Sequence, residues 1–319
     1  MSNYTTSRRL LSVIITIMLS AVSVFALTGC GQSNVKLDPA KVNVVTTFYP
    51  LYDFSRQIGG EHVNVINLVP AGVEPHEWSP KSRDLKNMTQ AQLFVYNGAG
   101  FEGWVHDFLD SRKDNAKPIV IEASQGIPLL NASEEEGHDH DHKHEAGVDP
   151  HVWVSPKSAI RMAESIKNGL IQVDQAHKAD YEANYARLAA QLQALDAKFK
   201  DSLAKAPRKE IVVSHQAFSY LARDYGLTQM PIMGLSPDSE PTAKDMMAIN
   251  KFVKEHQVKY IFFEELVSDK LAKTLAGDAK IETLVLNPLE GLTEEQIRAG
   301  ENYISVMERN LQNLLKALQ

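Results

Sequence analysis

Residues 181–206 read YEANYARLAAQLQALDAKFKDSLAKA, and a single apolar stripe runs through them. Large apolar side chains recur there at steps of four and three, at Tyr181, Tyr185, Leu188, Leu192, Leu195, Phe199 and Leu203. This spacing is typical of an α-helix that buries one face. Pro207 should end the helix. Spanning roughly 27 residues, it would be about 40 Å long, and we interpret it as a rigid spine that joins two lobes.

Segments typical of strands and helices alternate on both sides of this spine. The predicted strands are Val42–Thr47, Val63–Val69, Ala91–Tyr96 and Pro118–Ile121 before it, and Glu210–Ser214, Tyr260–Phe263 and Thr283–Leu286 after it. A closing helix is predicted over Ala299–Leu318. The alternation predicts an α/β fold with parallel sheets covered on both faces. We expect an N-terminal lobe over 41–155, connecting helices within 156–207 and a C-terminal lobe over 208–319.

The first thirty residues have the layout of an export signal. Arg8 and Arg9 precede an apolar run from Leu10 to Leu27, as in a secretory signal peptide over residues 1–29. The run approaches the length that begins to suggest a transmembrane anchor. However, Leu27-Thr28-Gly29-Cys30 resembles the bacterial lipobox, in which the signal is cut before a cysteine that then receives a lipid. We therefore predict lipidation of Cys30 and a flexible tether over residues 30–40.

The charge of the chain limits its partners. The formal charge is −7, and it becomes −9 when the predicted leader is removed, because Arg8 and Arg9 are the only charged side chains in that leader. An acidic surface argues against nucleic acid as a partner and gives no reason for polybasic membrane binding. Cys30 is the only cysteine, so no intramolecular disulfide can form. We expect a monomer that is held on the extracytoplasmic face of the cell membrane by the lipid on Cys30.

Four of the eleven histidines lie in one polar segment, the histidine-rich loop of residues 134–145. It contains His138, His140, His142 and His144, which alternate with acidic and basic residues. The segment has no large apolar residue that could anchor it in a core, so we expect a mobile loop. Imidazole and carboxylate groups suit divalent zinc. The loop is therefore interpreted as an auxiliary metal-binding segment, with a solvated linker as the alternative.

Three further histidines, His76, His151 and His215, lie at the ends of predicted strands or in loops that follow them. Ligands of open α/β sheets gather at the carboxyl ends of the strands. A single histidine in such a loop is usually structural, but three in comparable settings indicate a metal site. The remaining histidines, His62, His106, His177 and His256, lack this context and are assigned to the surface or to ordinary packing.

Six strings of the sequence together resemble a known family. They are VVTTFYPLYDFSRQIGG (44–60), EPHEWSP (74–80), DPHVWVSP (149–156), SHQAFSYLARDYGL (214–227), GLSPDSEPTAKD (234–245) and NPLEGLTEEQIRAGENYISVMERNL (287–311). In this order, and with the histidine-rich loop between the second and third, they resemble the zinc-type solute-binding lipoproteins of bacterial ABC importers, the ZnuA/AdcA type. The resemblance covers nearly the whole chain beyond the leader.

The resemblance implies two (β/α)4-like lobes bridged by one long helix, with the metal in the cleft between them. His76 and His151 would come from the N-terminal lobe and His215 from the C-terminal lobe. Members with a manganese preference tend to carry Glu at the position of His215, so this chain should prefer zinc. The position of the fourth ligand matches Glu290. Glu264 and Glu265, which follow a predicted strand, are competitors, and some members use water.

The implied function is capture of Zn²⁺ and its delivery to the permease of an ABC importer. Trp78 and Trp153 would shield the site, and Asp149 would hold His151. Two alternatives are a manganese-binding lipoprotein with an adhesin role and a zinc hydrolase, because three histidines and a carboxylate also occur in catalytic sites. The sequence has neither an HExxH nor a GxSxG motif. We therefore expect no enzymatic activity.

Overall fold

A computed structural model describes residues 36–112, 118–131, 147–238 and 241–319. The predicted signal peptide, Cys30 and the histidine-rich loop lie outside these residues. Within the described ranges, no helix has both the length and the apolar character needed to cross a membrane.

Two parallel sheets of four strands each organise the described residues. The first contains β1 (Val42–Thr46), β2 (Val63–Asn67), β3 (Leu93–Tyr96) and β4 (Ile119–Glu122). The second contains β5 (Glu210–His215), β6 (Thr228–Met233), β7 (Tyr260–Phe263) and β8 (Glu282–Val285). Their strand orders, β2-β1-β3-β4 and β6-β5-β7-β8, are equivalent. The predicted α/β class with two parallel-sheet lobes is confirmed.

Ten α-helices surround these sheets in the described residues. The N-terminal lobe has α1 (Tyr49–Gly59), α2 (Ser82–Gln90) and α3 (Val105–Asp110), and α4 (Pro156–Val173) and α5 (Lys178–Ala204) connect the lobes. The C-terminal lobe has α6 (Ser219–Tyr225), α7 (Ala243–Glu255), α8 (Lys270–Ala279), α9 (Glu294–Arg298) and α10 (Tyr303–Ala317).

Helix α5 is the predicted spine. It has 27 residues and ends three residues before Pro207. Six of the seven stripe residues are buried, and Tyr185 is half-buried. The helix packs against α1 and α4 on one side and against α6 and α10 on the other. Because its buried stripe faces elements of both lobes, the helix fixes them in one body.

One apolar core is continuous from lobe to lobe. It includes Phe48 and Trp153 from the N-terminal side, Phe199 of α5, and Tyr303 and Leu314 of α10, each at most 1% exposed. A smaller cluster covers the outer face of each sheet. The inner faces of both sheets are thus buried in a common interior, at the level where the lobes meet.

Two of the differences from the sequence prediction have a clear physical cause. Strand β6 was not predicted, because its sequence TQMPIM contains Pro231 and little β-branched character; as the edge strand of its sheet it tolerates a residue that cannot donate a backbone hydrogen bond. The predicted closing helix was too long at its start. The chain turns at Gly300, where φ is +74°, and α10 begins only after the capping residue Asn302.

Candidate metal centre

The three histidines at predicted strand ends and Glu290 converge at one point between the lobes. His215 is the last residue of β5, whose partners on both sides fix it, and His76 lies in the loop after β2. His151 precedes a short 3₁₀ turn that leads into α4. Glu290 lies in the loop after β8. Each lobe therefore contributes two of the four side chains: His76, His215 and Glu290 lie at or after the carboxyl ends of strands, and His151 lies just before α4.

The four side chains present one donor atom each to a common centre. Nε2 of His151 lies 3.3 Å from Nε2 of His76 and 3.4 Å from Nε2 of His215. Oε1 of Glu290 lies 3.3 Å from Nε2 of His76, 3.4 Å from Nε2 of His151 and 3.1 Å from Nε2 of His215. All four donor atoms lie within 4.8 Å of one another.

These separations suit a tetrahedral zinc shell. A tetrahedral site with zinc-to-nitrogen distances of about 2.0–2.1 Å has donor atoms about 3.3–3.4 Å apart. The five donor-to-donor distances given above range from 3.1 to 3.4 Å. The side chains of His151 and His215 are fully buried, that of Glu290 is 2% exposed and that of His76 is 10% exposed. A cation held here would be enclosed by protein.

Two buried carboxylates set the protonation of two of the imidazoles. Oδ1 of Asp149 accepts from Nδ1 of His151 at 2.8 Å, and Oε1 of Glu264 accepts from Nδ1 of His215 at 2.6 Å. A neutral imidazole that donates through Nδ1 presents the lone pair of Nε2, which is the form that binds a metal. Two lone pairs and the carboxylate of Glu290 thus point at one centre, an arrangement that suits a bound cation.

The pKa values of the site residues in the metal-free protein also show that the site favours positive charge. Burial lowers the pKa of His215, but the carboxylates of Glu264 and Glu290 outweigh it and raise the pKa well above its usual range. The pKa of His151 is also raised, because its hydrogen bonds with Asp149 and Glu290 outweigh burial. Although burial raises the pKa of Glu290, His215 and the other imidazoles hold it well below its usual range. Without a metal, protons supply the charge that the carboxylates require.

The sequence of the chain matches an established protein family. The family model of the zinc-uptake complex component A, ZnuA, matches residues 44–317. The chain belongs to the ZnuA family. It is 44% identical over 303 residues to the zinc-binding lipoprotein AdcA of Streptococcus pneumoniae. The aligned region covers 94% of this chain but only 60% of AdcA. This chain therefore spans somewhat less than two thirds of that relative.

One further ZnuA-family relative, and a solved domain of AdcA itself, match over nearly their full length. The high-affinity zinc uptake system protein ZnuA of Bacillus subtilis is 41% identical over 296 residues, covering 91% of this chain and 92% of the relative. The crystal structure of the Zn(II)-bound ZnuA-like domain of S. pneumoniae AdcA matches with a TM-score of 0.74 and 43% identity, over 87% of this chain and 99% of that domain. The fold of this chain is that of ZnuA-like solute-binding proteins.

The structure separates Glu290 from its two competitors. Glu264 faces the other side of the His215 ring, where it accepts from Nδ1 and from the hydroxyl of Ser214. Glu265 accepts from the side-chain amides of Asn287 and Gln296. Glu264 therefore orients a histidine and Glu265 anchors the loop that carries Glu290. Of the three carboxylates, the structure brings Glu290 to the convergence point.

The aromatic surroundings differ in part from the sequence prediction. The ring of Trp153 packs against His151, with centroids 5.2 Å apart. Trp78 instead packs against Trp104 at 5.9 Å. Phe101, which the sequence analysis did not single out, lies 5.0 Å from His76 and shields it. Phe101 follows strand β3 as the histidines follow their strands, and this position was the signal that could have identified it.

The four histidines assigned to the surface or to packing lie elsewhere. His62 and His177 stack with ring centroids 3.8 Å apart, and each contacts an aspartate of its own, Asp180 and Asp174. His106 pairs with Asp110, and His256 packs against Phe252. Within the described ranges, the group of His76, His151, His215 and Glu290 is the one whose donor atoms are close enough to share an ion.

Proposed function

We propose that this chain captures Zn²⁺ outside the cell membrane and delivers it to the permease of an ABC-type importer. The proposal rests on the four donor atoms of His76, His151, His215 and Glu290, whose separations suit zinc. It is supported by the relatives, one named a zinc-binding lipoprotein and another a component of a high-affinity zinc uptake system. Zn²⁺ is the cargo in this proposal, not a resident cofactor.

The composition of the shell accounts for a preference for zinc over manganese. Three imidazoles and one carboxylate form a set of four donors of intermediate softness, which suits tetrahedral Zn²⁺. Manganese prefers more oxygen donors and a higher coordination number. The donors are held in a packed framework: His215 is the last residue of a central strand, the other three lie in short segments beside buried elements, and the lobes share one core. Preorganisation of this kind favours tight binding, because little chain entropy is lost when the metal enters.

The same shell argues against hydrolysis. A catalytic zinc site keeps one position open for water or substrate, whereas here the protein supplies all four donors of a closed tetrahedron. The donors are also enclosed, with side-chain exposures between 0% and 10%. A substrate larger than an ion has no access to the centre. We propose accordingly that the chain is a binding protein without enzymatic activity.

A metal-binding experiment on the mature chain tests the proposal. Purified residues 31–319 should bind zinc tightly in a chelator competition, bind Mn²⁺ more weakly, and hydrolyse neither ester nor peptide substrates in the zinc-loaded form. Tighter binding of manganese than of zinc would contradict the proposed cargo. Zinc-dependent turnover of a substrate would contradict the assignment as a binding protein.

The proposed anchor has a test of its own. Cys30→Ala should abolish lipidation and release the protein from the membrane, while zinc binding by the folded part stays unchanged, because the compact unit that holds the metal centre begins at Leu37, seven residues after Cys30. Fractionation of cells, combined with a mobility shift on lipidation, measures this. Retention of the unlipidated variant in the membrane fraction would contradict the lipoprotein assignment.

A further inference from the structure

Trp153 connects the two halves of the metal centre. Its side chain is fully buried, two residues after His151, and its indole N–H donates to the carbonyl oxygen of Pro288 at 2.7 Å. Pro288 belongs to the loop of the opposite lobe that carries Glu290. The backbone carbonyl of Trp153 accepts from the hydroxyl of Tyr303 at 2.6 Å. Trp153 is thus hydrogen-bonded to the C-terminal lobe through both its side chain and its backbone.

The loop that carries Glu290 requires such support. Leu289 has a φ of +62°, in the left-handed region that a side chain with a β-carbon rarely adopts. On one side Asn287 stabilises the turn, because its Oδ1 accepts from the backbone N–H of Leu289 at 2.7 Å. On the other side, the bond from Trp153 fixes the peptide between Pro288 and Leu289. Glu290 follows directly, so the position of its carboxylate depends on both supports.

The ring of Trp153 is itself held in place by aromatic packing. Its centroid lies 4.6 Å from that of Phe48, 4.9 Å from that of Phe101 and 5.2 Å from that of His151. One rigid side chain therefore contacts His151 through its ring and the Glu290 loop through its N–H. Nε2 of His151 and Oε1 of Glu290, the donor atoms on the two sides of Trp153, lie 3.4 Å apart.

We propose that Trp153 is a positioning residue for zinc: its indole N–H holds the Glu290 loop at the distance from His151 that closes the donor shell. The inference rests on the proposed zinc-binding function. It differs from the sequence interpretation, in which the tryptophan only shields the site. Trp153 does not touch the ion, and it acts on affinity through Glu290.

A double-mutant cycle tests this role. Trp153→Phe keeps an aromatic ring but removes the donor, so zinc affinity in a chelator competition should fall about tenfold, as expected when a buried acceptor loses its partner. In a Glu290→Ala background the same change should have an effect of less than about twofold, because the loop no longer carries a donor atom. Trp104→Phe, in the outer cluster of the first sheet, is the matched control and should leave affinity unchanged.

The outcomes separate this inference from the function on which it rests. Equal losses from Trp153→Phe with and without Glu290 would overturn the positioning role. So would wild-type affinity in Trp153→Phe when Glu290→Ala binds more weakly. If the wild type itself does not bind zinc tightly, or if Glu290→Ala binds as well as the wild type, the proposed zinc site fails instead.

A measurement on the wild-type protein avoids the risk that a core substitution prevents folding. In zinc-loaded protein, hydrogen exchange of the three indole protons can be followed by NMR and assigned with Trp78→Phe and Trp104→Phe. The indole proton of Trp153 should exchange far more slowly than that of half-buried Trp104, and more slowly with zinc than without it. Exchange as fast as that of Trp104, or exchange that zinc does not change, would overturn the proposal.

Discussion

We expect His215 to set the metal preference of the proposed site, because it is the one imidazole donor that the C-terminal lobe supplies. Replacing it by a carboxylate makes the shell harder, with two nitrogen and two oxygen donors. His215→Glu should therefore lower the ratio of zinc affinity to manganese affinity, measured by competition titrations with both ions. An unchanged ratio would show that this position does not determine the preference.

The substitution His215→Glu needs a control because two carboxylates, those of Glu264 and Glu290, contact His215. Glu264 contacts Nδ1 of His215 at 2.6 Å, so a new carboxylate at position 215 would face both Glu264 and Glu290. Like charges in a buried site cost folding free energy, so the substitution would destabilise the metal-free protein apart from any change in metal preference. His215→Glu combined with Glu264→Gln removes one of the charges. The shift toward manganese should persist in the double variant.

Protons should compete with zinc for the same imidazoles. In the metal-free protein the pKa values of His151 and His215 are raised above 6.5 by neighbouring carboxylates. Their contribution to metal-free stability is therefore complete below pH 6.5 and is lost as the pH rises through the folded values. Zinc must displace these protons, so its apparent affinity should rise with pH over that range.

Calorimetric titrations in two buffers with different ionisation enthalpies measure the number of protons released per zinc at pH 7. We expect net release from the wild type and less release from His215→Ala, which lacks one of the two titrating rings. The depressed pKa of Glu290 adds no release there, since the carboxylate stays ionised until the pH falls well below 4.5. Zinc binding without proton release would contradict the assignment of these histidines.

The sequence predicted the four side chains that the structure brings together, with Glu264 and Glu265 as alternatives to Glu290, and one of the residues that support them. His76, His151 and His215 were found because imidazoles after predicted strands indicate a site, and Asp149 was expected as the partner of His151. The roles of Phe101 and of the Trp153 indole N–H could not be predicted. Both depend on contacts between distant parts of the chain, such as the one from Trp153 to Pro288, that no local pattern encodes.

Among the larger elements, the histidine-rich loop and the metal centre should bind zinc independently of each other. Asn131 and Val148 pair in an antiparallel bridge, so deletion of residues 134–145 leaves four residues between them, enough for a tight connection. The deletion should keep one tight zinc site and remove weaker, multiple binding. The reason is that loop side chains lose chain entropy on binding, whereas the centre is preorganised.

The matched variants are His76→Ala, His151→Ala and His215→Ala in the intact chain. Each should lose most of the tight affinity and keep the weaker binding of the loop. Stoichiometric titrations of all four proteins give the comparison. Loss of tight binding in the loop deletion alone would refute the assignment of the centre.

Most elements followed from periodicity, and the exceptions have physical causes. The stripe of α5 predicted the length of the helix well, because buried apolar residues recur at steps of three and four along almost all of its 27 residues. Strand β6 was not predicted because Pro231 is tolerated only in an edge strand. Whether a strand lies at an edge depends on the whole sheet and cannot be read from the strand's own sequence. The start of α10 depends on the cap at Asn302, which a pattern of apolar residues does not reveal.

At the scale of the whole molecule, the lobes are joined close to the centre. The backbone N–H of Gly72, in the loop that carries His76, donates to the carbonyl oxygen of Leu292 at 2.9 Å, close to Glu290 in the opposite lobe. Tyr220 of the C-terminal lobe donates to the carbonyl oxygen of Asp149 at 2.7 Å. Together with Trp153 and the shared core, these contacts define a closed arrangement in which both lobes complete one shell.

In the proposed site, two lobes hold one zinc ion with the side chains of His76, His151, His215 and Glu290. Anomalous diffraction at the zinc edge can locate the ion, on crystals of the chain that lacks residues 134–145 and is loaded with one equivalent of zinc. We predict a single peak between the lobes, about 2.0–2.1 Å from Nε2 of His76, His151 and His215 and about 2.0–2.2 Å from Oε1 of Glu290. A peak elsewhere, or a shell that lacks any of the three imidazoles, would rule out the proposed zinc site.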